Sequence, residues 1–258
     1  MKTVGFIGGG RITRILLQGF DHATVTFEKI AVFDTNEGIL AKLKAEFPTI
    51  EVSATDSLDA SSAEMVFVAL HPAVLMECLL SIGGAFRKDA LVVSLAPKIT
   101  LEKLKAALPH VKNLARMNPN AGTFVNKGYN PVCFSTEVEK KQSDAFITMF
   151  KKLGKVPVVA EYTLEAYAVI SAMGHTYFWF QVQQLKELAV SYGLSEKGAQ
   201  DAISAMLWGT TETLFHSGMT FEEVCDLVPV KPMSEHENAI KESFKTSLDT
   251  IFQKIKPQ

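Results

Sequence analysis

Cysteine is scarce: Cys78, Cys133 and Cys225 are the only three in 258 residues. They lie far apart, and no pair has the spacing of zinc ligands or of a redox couple, which argues against a disulfide framework or a metal ribbon. A surplus of either charge is missing too. Lys and Arg number 26 against 28 Asp and Glu, a net charge of −2, whereas a nucleic-acid or anionic-membrane binder would show a basic excess or stripe. No apolar run reaches the roughly 18–20 residues that span a bilayer. The N-terminus lacks the apolar core and cleavage site of a signal peptide, and internal repeats and low-complexity tracts are absent. Together these absences predict a soluble protein of the reducing cytoplasm with no metal site. What remains is an ordinary globular composition, 47% hydrophobic and 21% charged, long enough to bury roughly 70–75% of its unfolded surface without staples.

Residues 3–160 alternate short β-rich apolar runs with helical patterns. Strands are predicted over Thr3–Ile7, Ile30–Asp34, Met65–Leu70, Leu91–Leu95, Val111–Met117 and Val156–Ala160. Runs that are apolar on both faces, such as Met65–Leu70, suit central strands of a parallel sheet covered by helices on both sides. Thr136-Glu137-Val138-Glu139 has the pattern of a capping box opening a helix that Gly154 closes. After about residue 161 the strand pattern stops. Residues 164–192 read as one long helix ended by Gly193, Ser195 starts another, and Thr220–Glu223 and Ser234–Glu237 have the form of further capping boxes. The expected architecture is therefore α/β: a doubly wound parallel sheet over residues 1–160, followed by an all-helical domain over 161–258.

Gly8-Gly9-Gly10-Arg11-Ile12-Thr13 follows a strand and opens a helix. Gly8 permits the tight turn, Gly10 admits a pyrophosphate to the backbone, and the helix N-terminus offers free N–H groups and a positive dipole end. Thr13 stands where a third small residue is usual, so helix–strand packing must take two extra heavy atoms. Asp34 ends the second strand, at the spacing where a carboxylate meets the adenosine ribose and repels a 2′-phosphate, which favours NADH over NADPH. A simple helix cap is the other reading of Asp34.

Three loops fall at the carboxyl edge of the sheet, where open α/β sheets bind ligands. They are Ala69-Leu70-His71-Pro72, Ser94-Leu95-Ala96-Pro97 and Arg116-Met117-Asn118-Pro119-Asn120-Ala121-Gly122. Pro72 and Pro119 serve equally to end strands, and Asn118 and Asn120 to form turns. In the helical half, Ser171-Ala172-Met173-Gly174-His175-Thr176-Tyr177 places a glycine and polar groups inside an apolar helix, at a cost of about 1 kcal/mol relative to Ala. His175 is a candidate proton donor near neutral pH; a histidine held within a dimer interface is the alternative. Phe178, Trp179, Phe180, Val182, Leu185 and Leu188 cover more than one helical stripe, so burial on several sides, through dimerisation, is expected.

These motifs resemble those of the pyrroline-5-carboxylate reductase family. Gly5–Gly10 is similar to its opening strand and cofactor turn, and Ala69–Pro72 to its Ala-Val-Lys-Pro segment. Arg116–Asn120 is similar to its Arg-x-Met-Pro-Asn segment, and Ser171–Tyr177 to its Ser-Gly-Ser-Gly-Pro-Ala-Tyr. The resemblance implies a Rossmann domain, a helical domain interlocking with a partner subunit in a homodimer or higher oligomer, and a role in proline biosynthesis. It implies hydride transfer from NAD(P)H to the C=N carbon of a small cyclic imine. Carried over, Gly8, Gly10, Arg11 and Ile12 hold the pyrophosphate and Asp34 faces the ribose. Leu70, His71, Pro72 and Asn120 line the nicotinamide pocket, while Ser171, Gly174 and Tyr177 lie on the substrate side.

The departures bear on the substrate. The family's Ser-Pro-Gly-Gly-Thr-Thr loop, which binds the substrate carboxylate, is replaced here by Val228-Pro229-Val230-Lys231-Pro232-Met233, leaving Lys231 as a point charge. The Lys of the Ala-Val-Lys-Pro segment is His71, and the Pro before Ala-Tyr is His175, which makes His175 a proton-donor candidate where the family has none. Two other readings share the scaffold. A β-hydroxyacid dehydrogenase would carry a catalytic Lys in its first long helix, yet Ser171–Gln184 contains none. A non-catalytic dinucleotide-binding sensor or partner protein would explain the lost loop but not the polar residues at all three sheet-edge loops.

Overall fold

Met65–Val68 are all buried, and they alternate between two cores. Met65 and Phe67 join Val4, Phe6, Leu16, Phe20, Leu91 and Val93 on one side of the sheet. Val66 and Val68 join Ile7, Leu75, Leu79, Val92 and Leu104 on the other. A strand with helices on both faces has no solvent side, which is why its sequence is continuously apolar.

The computed structural model describes residues 2–257. Its strands are β1 (Thr3–Ile7), β2 (Lys29–Phe33), β3 (Glu51–Ser53), β4 (Met65–Val68), β5 (Leu91–Ser94), β6 (Asn113–Met117), β7 (Gly128–Tyr129), β8 (Val132–Phe134) and β9 (Gly154–Lys155). Seven form one sheet in the order β3-β2-β1-β4-β5-β6-β8. All its pairs are parallel except β6 with β8. The order reverses between β1 and β4, the switch point of a doubly wound fold. Helices α1 (Arg11–His22), α2 (Glu37–Glu46), α3 (Leu58–Ser61), α4 (Pro72–Ile82), α5 (Leu101–Ala107) and α6 (Lys140–Phe150) alternate with the strands. Phe67 anchors the first core, its ring 5.1 Å from Phe6 and 5.8 Å from Phe150.

The helical pattern after residue 160 is distributed over α7 (Leu164–Tyr167), α8 (Gly174–Ser191), α9 (Glu196–His216), α10 (Phe221–Asp226) and α11 (Glu237–Ile255). The chain divides into two compact units, Met1–Met173 with Ile251–Gln258, and Gly174–Thr250. Residues 161–173 thus belong with the sheet, and the reason is a buried ion cluster. Arg116, 1% exposed, donates from Nη1 to Glu161 Oε1 at 2.9 Å and from Nη2 to Glu165 Oε1 at 2.5 Å. Asn118 Nδ2 donates to the Leu164 carbonyl beside it.

Several local expectations are corrected. Val156–Ala160 is not a strand: Pro157 has no N–H to give, and the segment meets β8 only by a bridge at Val158, while Gly154–Lys155 pairs with β7. The Thr136 capping box does not form, because the Thr136 hydroxyl turns to Glu137 and α6 begins at Lys140. Ser234–His236 is a 3-10 turn without a side-chain cap. The long helix of 164–192 is broken, since residues 168–172 wind as a π-turn closed by Met173 N–H donating to the Ala168 carbonyl. Ser195 and Thr220 do cap their helices, and Thr220 with Glu223 completes its capping box.

In the unit Gly174–Thr250, large apolar side chains are exposed rather than buried. Phe178, Phe180, Leu185, Leu188 and Phe215 face outward, with Trp179 at 56% and Trp208 at 70% exposure. Of α8 and α9, only Gly174, Ala199 and Ile203 are buried. No helix among the described residues is long and apolar enough to cross a membrane.

Candidate active site at the carboxyl edge of the sheet

The turn after β1 is built by hydrogen bonds that the sequence prepares. Gly8 has φ +104°, and a Cβ there would stand 2.6 Å from the Ala69 carbonyl oxygen; only glycine fits both constraints. Its N–H donates to the Phe33 carbonyl at 2.7 Å. Thr13, fully buried, donates its hydroxyl to the Gly8 carbonyl at 2.5 Å, so the two extra heavy atoms brace the turn. Asp34 receives the Gly9 N–H on Oδ2 at 2.7 Å and the Asn36 N–H on Oδ1 at 2.8 Å. A Cβ on Gly10 would meet nothing within 4 Å. Gly10 caps α1 without a side-chain bond, so the first-turn N–H groups are open to an anion.

This turn opens on a cleft of about 800 Å³ within the unit that holds the sheet. Gly10, Arg11 and Ile12 form one wall, Ala69–Ala73 the next, and Leu95–Ile99 after β5 the third. His71 caps α4, its Nδ1 accepting the Ala73 N–H at 3.3 Å. An Nδ1 that accepts leaves the proton of the neutral ring on Nε2. Across the turn, a second hollow of about 500 Å³ is lined by Gly9, Gly10, Arg11, Arg14, Lys42 and Glu46. The two hollows flank the switch point, as the two halves of a dinucleotide require.

Of the residues read from sequence, Gly10, Arg11, Ile12, Leu70, His71 and Pro72 line the cleft, with Gly8 and Asp34 holding the turn behind them. Asn120 is not brought there. It is buried, its Nδ2 donating to the Tyr129 carbonyl at 2.9 Å. Ser171 lies in the π-turn, its hydroxyl donating to the Tyr167 carbonyl at 2.8 Å; Met173, two residues on at the end of that turn, lines the cleft. His175 and Tyr177 fall in the other unit. The His175 ring lies 5.9 Å from that of Trp179, and Tyr177 packs edge-on to Phe244 at 6.0 Å, with burial pushing its phenol pKa up. The stretch Val228–Met233, in the same unit, is irregular and exposes Val228, Val230 and Met233.

Sequence reasoning missed Lys98, Lys103, Lys254 and Lys256, which also line the cleft. Lys98 stood one residue beyond a loop already singled out. The last two gave no signal, because nothing in a helical pattern tells where its end returns to a sheet.

Residues 3–98 match the family described as NADP oxidoreductase coenzyme F420-dependent. Over 231 residues the chain is 27% identical to the pyrroline-5-carboxylate reductase of Escherichia coli (strain K12), covering 87% of this chain and 85% of that one. Among solved structures, the NADP-bound pyrroline carboxylate reductase of Plasmodium falciparum matches with a TM-score of 0.82 at 17% identity, over 99% of this chain and 97% of that chain. The 1-pyrroline-5-carboxylate reductase of Streptococcus pyogenes matches at 0.79 with 13% identity, over 98% of each chain. The resemblance carried by the motifs thus extends along most of the sequence, and the fold is the one those structures have.

Proposed function

We propose that this pyrroline-5-carboxylate reductase-like chain is an NAD(P)H-dependent oxidoreductase that reduces the C=N bond of a small cyclic imine. The observation that carries this reading is the shared cavity: the Gly8–Gly10 turn and the loops after β4 and β5 open on one cleft. A nicotinamide bound there supplies the hydride. The chain's own task is to bind, orient, exclude water and deliver a proton. Gly10 and the α1 N-terminus hold the pyrophosphate with Arg11 beside it, and Leu70, His71 and Pro72 wall the nicotinamide end. His175 is the proton donor to the imine nitrogen, with Ser171 and Tyr177 on the substrate side.

Asp34 makes NADH the preferred cofactor, because its fixed carboxylate would repel a 2′-phosphate. The protein works as a homodimer in the cytoplasm, its partner covering the exposed apolar side chains of α8 and α9. Oxidation of NADH and NADPH with 1-pyrroline-5-carboxylate and other cyclic imines tests the reading. Turnover with a lower KM for NADH is expected, and His175→Ala should cut kcat while leaving cofactor affinity alone. Intact cofactor binding without turnover of any imine would overturn it.

A further inference from the structure

Lys98 has φ +69°, a left-handed conformation that non-glycine residues adopt rarely and that concentrates at functional sites. The surroundings hold it there. Its N–H donates to Glu165 Oε1 at 3.3 Å, and Glu165 is itself fixed by the buried Arg116. Its half-buried side chain lines the cleft.

Other cations gather around the same space. Lys254 and Lys256 reach it from the end of α11, with the Lys256 ammonium 4.6 Å over the Phe252 ring, and Lys103 lines it from α5. With Arg11, five cationic residues line the cleft, and among the described lining residues there is no Asp or Glu. In a chain of net charge −2 this is a local field that draws anions.

A dinucleotide does not account for all of it. Its pyrophosphate belongs at Gly10 and Arg11, and a 2′-phosphate would lie on the β2 side of the switch point, by Asp34. Lys98 follows β5, two strand positions from β1 in the opposite direction, roughly 10 Å along the sheet edge. That is the redox end. We propose that Lys98 and Lys254, with Lys256 beside them, form an anion subsite that holds the carboxylate of the substrate. The inference rests on the imine-reductase reading and explains how a carboxylate is kept without a hydroxyl- and glycine-rich loop: Val228–Met233 offers neither.

The test uses the full chain and its Lys98→Met, Lys254→Met and double variants, first confirmed folded by thermal melting. NADH oxidation is followed with 1-pyrroline-5-carboxylate and with 1-pyrroline, which lacks the carboxylate. In the double variant, KM for the carboxylate imine should rise about tenfold and far more than KM for 1-pyrroline, with NADH Kd unmoved. Equal changes for both imines, a parallel loss of NADH binding, or no change would overturn the subsite. If the parent protein reduces neither imine, the imine-reductase reading fails by itself. Cyclopentanecarboxylate, titrated calorimetrically into the NADH-loaded protein, then still reads the subsite. Binding that the double variant loses supports it, and binding that is absent or that survives in the variant refutes it.

Discussion

The Gly9 amide donates to Asp34 Oδ2 at 2.7 Å, so this carboxylate fixes the glycine turn after β1. Its other oxygen takes the Asn36 amide. On the proposed reading, one side chain would then both discriminate against a 2′-phosphate and shape the turn.

Asp34→Asn should separate the two. Removing the charge relieves repulsion of the 2′-phosphate, so the ratio of NADPH to NADH affinity should rise about tenfold, or 1.4 kcal/mol. Affinity for both should fall somewhat, because an amide cannot accept from both backbone N–H groups through both of its ends. Fluorescence titration of each cofactor reads the ratio; an unchanged ratio would place the preference elsewhere.

Two glycines two residues apart should respond differently to a methyl group. Gly10→Ala meets nothing within 4 Å, so the protein should keep its Tm while the methyl obstructs the pyrophosphate and weakens NADH binding. Gly8→Ala has both a left-handed φ and a carbonyl oxygen in the way, and should lower stability by about 1–3 kcal/mol. Denaturant curves beside NADH titrations distinguish them.

Arg116→Met leaves Glu161 and Glu165 without their cation, and Glu165 is 2% exposed. A loss of about 3–5 kcal/mol in urea unfolding is expected, as for other broken buried pairs. Adding Glu161→Gln and Glu165→Gln should recover part of it.

Burial pushes the Cys133 thiol up from 9.0 to about 11. The reactive thiolate is then on the order of a thousandth of the total at pH 8, so a disulfide reagent should titrate at most Cys78 and Cys225 before unfolding. The neutral form is the one the fold favours. The stability this contributes is complete below pH 9 and is lost as pH rises towards 11; Cys133→Ala should flatten that part of the profile.

The alternation of apolar runs and helices made the sheet legible, because a parallel sheet writes its burial directly into sequence. The parts that Gly8, Gly10 and Asp34 take in the turn after β1 were legible because its backbone geometry demands particular residues. β3, β7 and β8 escaped notice, since strands of two or three residues leave too short a period to detect. The break before Gly174 escaped for another reason: residues 168–172 are apolar at helical spacing, and only the i−5 bond of Met173 distinguishes a π-turn. Lys254 and Lys256 were invisible because long-range return of the chain, unlike local propensity, has no periodicity.

Both tryptophans, Trp179 and Trp208, lie in the unit Gly174–Thr250, and both are more than half exposed. Tryptophan emission therefore watches only the smaller of the two units. Melting of the sheet by itself would pass unseen at 340 nm yet register fully by circular dichroism, while covering α8 and α9 would shift the emission to the blue with no change in secondary structure. The protein carries, in effect, an optical label on the unit Gly174–Thr250 and no tryptophan in the unit that holds the sheet.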